Sequence, residues 1–305
     1  MSTLPQNLQG YFRWIQKCNG GLRGKEKYHP WTVGKSTVGY LQPWLFQKLQ
    51  ADFPGVFKVS LSCPQSSDAV GSLILDESLK TCEERSAALA GVLAQLRDEG
   101  VLTGWRSELY PVLTSFQGQP LALVERAAAV HLGIKAYGVH VNGYVETERG
   151  VELWVATRSR SKPTWPGRLD HIVAGGQPHG LSPGANVTKE CGEEASIPEE
   201  LARNAKPVGA VSYEEMQESG LKRDVLFCYD LQLPADFVPA PQDGEVESFQ
   251  RLPIEEVAEI IANTDKFKDN CNLVIIDFLI RHGFIRPEQE GYLELLAGLR
   301  LGPLS

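Results

Sequence analysis

The residues in this chain whose types and spacing could do chemistry are Glu190, Glu193 and Glu194. They stand in the run Lys189-Glu190-Cys191-Gly192-Glu193-Glu194, behind the pair Gly175-Gly176. On a helix, positions i, i+3 and i+4 share a face. Like charges at that spacing repel, so folding alone gives no reason for the triplet. A divalent cation reverses the sign of that repulsion. Mg²⁺ or Mn²⁺ takes carboxylate oxygens and keeps positions open for water and phosphate. Gly175-Gly176 lets backbone approach a ligand closely, and a freed Gly175 carbonyl would be one more oxygen donor. Set against this is the commoner fate of an acidic helix triplet, a solvated face.

The elements that must position these groups can be read from periodicity. Residues 183–196 are expected to form a helix that Ser182 caps and Pro183 opens. Its Val187, Cys191 and Ala195 form an apolar stripe fit to pack on a sheet, and Lys189 can pair with Glu193. Residues 137–146 and 152–157 alternate apolar and polar, as an antiparallel hairpin does. Strands are also expected over 169–174, 206–213, 224–233 and 245–252, and helices over 254–262 and 270–282. Before residue 130 the pattern mixes helices (6–17, 43–51, 77–99, 125–132) with a short strand at 37–40. The expected fold class is therefore α+β, with a first domain over 1–130, a second over 131–285 and a helical extension over 286–305.

Composition narrows the partners. A formal net charge of -8 with no long basic run argues against non-specific nucleic-acid binding. The apolar stretch 273–280 is too short to span a bilayer. Cys18, Cys63, Cys82, Cys191, Cys228 and Cys271 form no C-x-x-C pair, which suits reduced thiols and a cytoplasmic protein.

With these residues in view, the chain resembles the Nudix hydrolases, whose signature is G-x5-E-x7-R-E-U-x-E-E-x-G-U with U aliphatic. Gly175, Glu190, Glu193, Glu194 and Ile197 fall on it without a gap; Leu181, Lys189, Cys191 and Ser196 depart from it. Lys189 keeps a charge but not the planar fork of arginine. The segments 137–145, 165–170 and 178–180, with 104–110 and 125–128 upstream, are similar to one subfamily. It carries an extra N-terminal domain and includes the Nudix part of fungal thiamin pyrophosphokinase fusions. The resemblance implies a C-terminal α/β/α sandwich with a mixed sheet behind a smaller α+β domain. It also implies Mg²⁺ (or Mn²⁺) bound by Gly175, Glu190, Glu193 and Glu194, and Glu193 in a catalytic role. Hydrolysis of a small-molecule diphosphate such as thiamin diphosphate or its oxo or oxy analogues follows from it, as does a homodimer. A general base beyond the helix is expected at Glu245 or Glu247, which in a regular strand share a side. His179, Arg106 and Glu108 are candidate substrate contacts, though Arg106 and Glu108 could equally form an interdomain ion pair, and Lys222 and Arg223 could simply cap a turn.

Three other readings compete. A nucleotide-sugar or dinucleotide pyrophosphatase would share the same motif. A non-catalytic Nudix-fold binding module would usually have lost a helix carboxylate, and this chain has all three. An allylic diphosphate isomerase would need a reactive cysteine, whereas Cys191 falls on the packing stripe and Cys228 within a strand.

Overall fold

The computed structural model describes residues 7–60 and 71–304; Cys63 lies outside them. The first helix, α1 (Gln9–Cys18), is followed by β1 (His29–Val33), β2 (Ser36–Leu41), α2 (Pro43–Asp52), β3 (Phe57–Ser60), β4 (Ser72–Leu75), α3 (Cys82–Asp98), β5 (Leu109–Val112) and β6 (Ala122–Glu125). Strands β1 to β4 form one sheet in the order β2-β1-β4-β3, and β5 pairs with β6. Their core is built from Trp31, Leu41, Leu45, Leu49, Leu73, Leu89 and Leu93, with Val112 and Val124. Helix α3 begins at Cys82, not at residue 77, because Thr81 and Glu84 close a reciprocal capping box there. The helix expected over 125–132 is instead the end of β6 and a 3₁₀ turn, Arg126–Ala128.

The second half opens with the long hairpin β7 (Lys135–Thr147) and β8 (Gly150–Arg158), whose closing pair is Thr147 with Gly150. The expected strand at 169–174 is two strands, β9 (Leu169–His171) against β8 and β10 (Val173–Gly176) against β7. Then come α4 (Pro183–Ala195), α5 (Glu199–Ala202), β11 (Lys206–Gln217), β12 (Gly220–Gln232), β13 (Val246–Pro253), α6 (Ile254–Asn263), α7 (Asp269–Arg281) and α8 (Tyr292–Gly298). The order β11-β12-β7-β8-β13, with β10 on β7 and β9 on β8, makes a seven-stranded sheet. It is mixed: β12 runs parallel to β7 and the other strand pairs are antiparallel.

Side-chain alternation divides this sheet between two layers of helix. Val139, Val141, Tyr229 and Leu231 face α4, meeting Val187, Cys191 and Ala195. Leu153, Val155, Val211, Leu226 and Cys228 face the other way, onto α1, α6, α7 and α8. This is an α/β/α sandwich with the smaller α+β unit beside it. Helix α1, first in the chain, thus belongs to the outer layer of the second core: Trp14 is buried and donates its indole N–H to the Ile261 carbonyl at 2.7 Å. No helix among the described residues is long and apolar enough to cross a membrane.

Candidate active site

Helix α4 forms as its sequence prescribes. The Ser182 hydroxyl accepts the Ala185 amide, Pro183 occupies the first turn, and the apolar stripe is buried. That packing fixes where the carboxylates point. Glu190 and Glu194, one turn apart, lean toward β10, and Glu193 turns outward. The side chain of Glu190 is 14% exposed and that of Glu193 51% exposed, and Lys189 bridges the two at 3.3 and 2.6 Å. Lys189 therefore neutralises the outer part of the face.

A side chain at Gly175 would displace the Glu190 carboxylate. A Cβ there would stand 2.5 Å from Cδ of Glu190. One residue before it, the Ala174 amide donates to Glu194 Oε2 at 2.9 Å. Glu194 is only 7% exposed. Burial pushes its pKa well above the ordinary carboxylate range against that one amide, and the neighbouring charges of Glu190, Asp170 and Glu245 push the same way. Burial also raises Glu190, opposed by Lys189.

A loop completes the group. Ligand oxygens of Glu194, Asp243 and Glu245 all lie within 4.8 Å of one another. The Glu245 amide donates to Asp243 Oδ1 at 2.8 Å, which folds Asp243-Gly244-Glu245 into a tight turn, and Lys162 holds the Glu245 carboxylate at 2.5 Å. Burial works to raise Glu245, but the Lys162 ammonium outweighs it and leaves the group lowered. Glu247 does not share this position. A bulge between Val246 and Ser248 breaks the alternation, and Glu247 sits half-exposed, 3.7 Å from Arg160. Asp243 was not among the residues expected from sequence; its one signal is the Asp-Gly-Glu turn at a strand start.

The donors suit a hard divalent cation. They are all oxygens, and buried Glu194 has an amide but no cationic partner among the described residues. A second buried group, His140, Asp170, His171 and Cys271, is chemically different. Its imidazoles meet through their Nδ1 atoms at 2.9 Å, the Cys271 thiol donates to Asp170, and Arg158 and Lys268 already hold that carboxylate. Burial keeps both histidines below their ordinary pKa, hence neutral near pH 7.

On the opposite face of β10 from α4 lies a cavity of about 200 Å³, lined among others by Tyr110, Arg126, His140, Lys222, Asp224 and Asn270. Lys222 lines this cavity beside Asp224 (3.3 Å) and does not cap a turn; Arg223 is buried against Glu214 at 2.8 Å. Arg106 and Glu108 do not pair with each other. Glu108 holds Arg126 at 2.8 Å, and the Arg106 amide donates to Glu125. His179 is exposed, with its amide on the Leu109 carbonyl.

A mixed-sheet α/β/α sandwich with an acidic helix packed on the glycine pair of β10 is the arrangement of a hydrolase of phosphate anhydrides. Comparison with known proteins agrees. Residues 10–136 match a family described as a domain of unknown function, DUF4743. Nudix hydrolase 20, chloroplastic, of Arabidopsis thaliana is 50% identical over 296 residues, 96% of this chain and 78% of that protein. Nudix hydrolase 24, chloroplastic, of the same plant is 46% identical over 305 residues, 99% of this chain and 81% of that protein. An uncharacterized protein of Saccharomyces cerevisiae is 42% identical over 210 residues, 63% of this chain and 60% of that protein. The chain belongs to the Nudix hydrolases and is an enzyme of the pyrophosphohydrolase type. The cytoplasmic assignment is corrected by the two plant relatives, both of them chloroplastic. Free cysteines, as found among the described residues, do not encode an address.

Proposed function

We propose that this enzyme uses Mg²⁺ or Mn²⁺ to hydrolyse the diphosphate of thiamin diphosphate or its damaged oxo or oxy analogues. The observation that carries the metal-dependent reading is the Glu194 carboxylate, buried, without a cationic partner among the described residues, and grouped with Asp243 and Glu245. Glu190, Glu193 and Glu194, with Asp243 and the Gly175 carbonyl, are the groups that would hold the cation. When bound, a divalent cation supplies charge neutralisation for the diphosphate and a more acidic water.

The chain's own residues do the rest. Lys189 restrains Glu190 and Glu193, so the helix face is preorganised. Glu245, kept ionised by Lys162, is the base that accepts the proton of the attacking water; exposed Glu247 with Arg160 lies outside the Glu194 group. Support for the thiamin substrate comes from the subfamily resemblance of segments 137–145 and 165–170. The cavity across β10 from the acidic helix bears on substrate size. At about 200 Å³ it is smaller than the roughly 300–1,000 Å³ typical of drug-sized ligands, so it would take one ring of a two-ring ligand such as thiamin and leaves less room for a dinucleotide.

The test is a panel of oxythiamin diphosphate, thiamin diphosphate, ADP-ribose and NADH with Mg²⁺, with products read by mass spectrometry. Thiamin-type diphosphates are expected to turn over fastest. Glu194→Gln is expected to lower kcat by a factor of about 10² or more, the scale of a lost electrostatic contact in the transition state. An unimpaired Glu194→Gln enzyme would remove the metal role from this helix, and preferential turnover of ADP-ribose would replace the substrate.

A further inference from the structure

Arg126 comes from the first half of the chain, yet it stands at the junction of the cavity and the acidic helix. It lines the cavity. A Cβ on Gly176 would lie 3.1 Å from its guanidinium carbon and 1.8 Å from the Tyr110 hydroxyl, so the smaller unit closes directly onto this glycine. The neighbouring Gly175 is touched by Glu190. Successive residues of a strand face opposite sides. Two glycines thus make a thin partition, with Glu190 on one side and Arg126 on the other. Among the described residues β10 pairs with β7 and no second strand; its outer edge instead meets side chains of α4, the Ala174 amide donating to Glu194 and the Gly176 carbonyl accepting from Asn186, so a ligand passing from one side to the other meets these groups.

Arg126 is held for such a contact. Glu108 takes one of its terminal nitrogens at 2.8 Å, and its guanidinium lies 5.6 Å from the Tyr110 ring centre. Its side chain remains 42% exposed, which leaves donors free. A guanidinium so restrained presents planar, paired donors suited to phosphate oxygens.

We infer that Arg126 is a phosphate-binding residue for the Nudix reaction, supplied from outside the Nudix sheet, and that the DUF4743 part is a substrate-selecting element that completes the site. The ligand class is a diphosphate monoester. Its ring enters the cavity near His140, Asp224 and Asn270, and its diphosphate crosses the edge of β10 past Arg126 toward Glu190. The inference rests on the pyrophosphohydrolase reading, and the experiment separates the two.

Methylenediphosphonate, which resists hydrolysis, is titrated calorimetrically into the full chain with Mg²⁺, for the wild type and for Arg126→Gln and Arg126→Lys. Arg126→Gln is expected to weaken binding about 10- to 100-fold, the worth of one charge-assisted contact. Arg126→Lys, which keeps charge without the fork, should fall between, and each variant should melt within a few degrees of wild type. In turnover, Arg126→Gln should raise KM for the diphosphate ester more than it lowers kcat. Binding within twofold of wild type in Arg126→Gln overturns the inference while leaving the hydrolase reading intact. Loss of binding in Arg126→Gln, with Glu194→Gln still fully active, would instead keep the arginine and move the metal site.

Discussion

At the scale of single residues, the site trades stability for function. Glu194 is a carboxylate placed where burial disfavours its charge. Its folded pKa is raised, so without metal the native state binds its proton more tightly than the unfolded chain does. Native stability is then lost as pH rises from the ordinary glutamate range toward that raised value. Glu194→Gln removes this penalty. The metal-free variant should melt higher than metal-free wild type at pH 8, with the gap narrowing at pH 5, and calorimetry in a chelating buffer reads both. An equal or lower melting temperature at pH 8 would mean that Glu194 is compensated in a way its single amide partner does not suggest. The residue types at this site were legible in the sequence because three carboxylates on one helix face have no folding purpose. The outward turn of Glu193 was not, since the lean of α4 on its sheet sets that direction. Neither Asp243 nor Arg126 belongs to the motif; they reach Glu194 and Glu190 only through tertiary folding.

Secondary-structure elements carry a second kind of compromise. Ser196, at the signature's glycine position, adopts φ +53°, a left-handed conformation that a serine tolerates poorly. Its hydroxyl donates to the Ala240 carbonyl at 2.9 Å, tying the end of α4 to the loop that brings Asp243 and Glu245. The departure from glycine therefore exchanges backbone ease for a tether on the loop. Elements with clear periodicity or a clear cap, α2, α4, α6 and the β7–β8 hairpin, could be read from sequence. Strands β1, β3, β4, β5 and β6 were missed because each is only four or five residues long, too short for alternation to stand out. On β12, Asp230 pins α7 to the sheet. It accepts from Arg281 at 2.6 and 3.0 Å, from His282 at 2.8 Å and from Asn142 at 3.0 Å. Burial works to raise its pKa, but His282 and Arg281 prevail and lower it from 3.8 to about 2. This stabilisation is present above pH 3.8 and is lost as pH falls through about 2. Asp230→Asn should cost on the order of 2 kcal/mol at pH 7 and much less near pH 2, as urea melts at the two pH values would show. A constant cost across that range would assign the loss to packing and not to charge.

For the whole molecule, order along the chain and neighbourhood in space part company. Division at 130 and 285 follows the sequence patterns, but α1 and α8 both enter the core of the α/β/α sandwich. Tyr11, Trp14, Ile15 and Cys18 of α1 and Leu295 of α8 are buried with α6 and α7. No sequence signal marks α1 as a partner of α7, because its amphipathic face is equally suited to any apolar surface. The consequence can be tested by cutting. An isolated 131–285 segment retains the motif helix and the seven-stranded sheet but exposes the apolar faces of α6 and α7 against which α1 packs. At about 25 cal/mol per Å² of apolar surface returned to water, a few buried side chains amount to several kcal/mol, a large part of the roughly 5–15 kcal/mol that holds a domain folded. The segment should aggregate or stay molten, binding a hydrophobic dye and lacking near-UV dichroism, while the full chain gives a cooperative melt. Within the full chain, Trp14→Ala should cost about 3–5 kcal/mol, the usual loss for a buried aromatic side chain, and should lower activity only through the folded fraction. A well-folded 131–285 segment would show that α1 decorates this core and does not complete it. The same segment, if folded, would also lack Arg126, so its affinity for methylenediphosphonate would report on the arginine independently of any substitution.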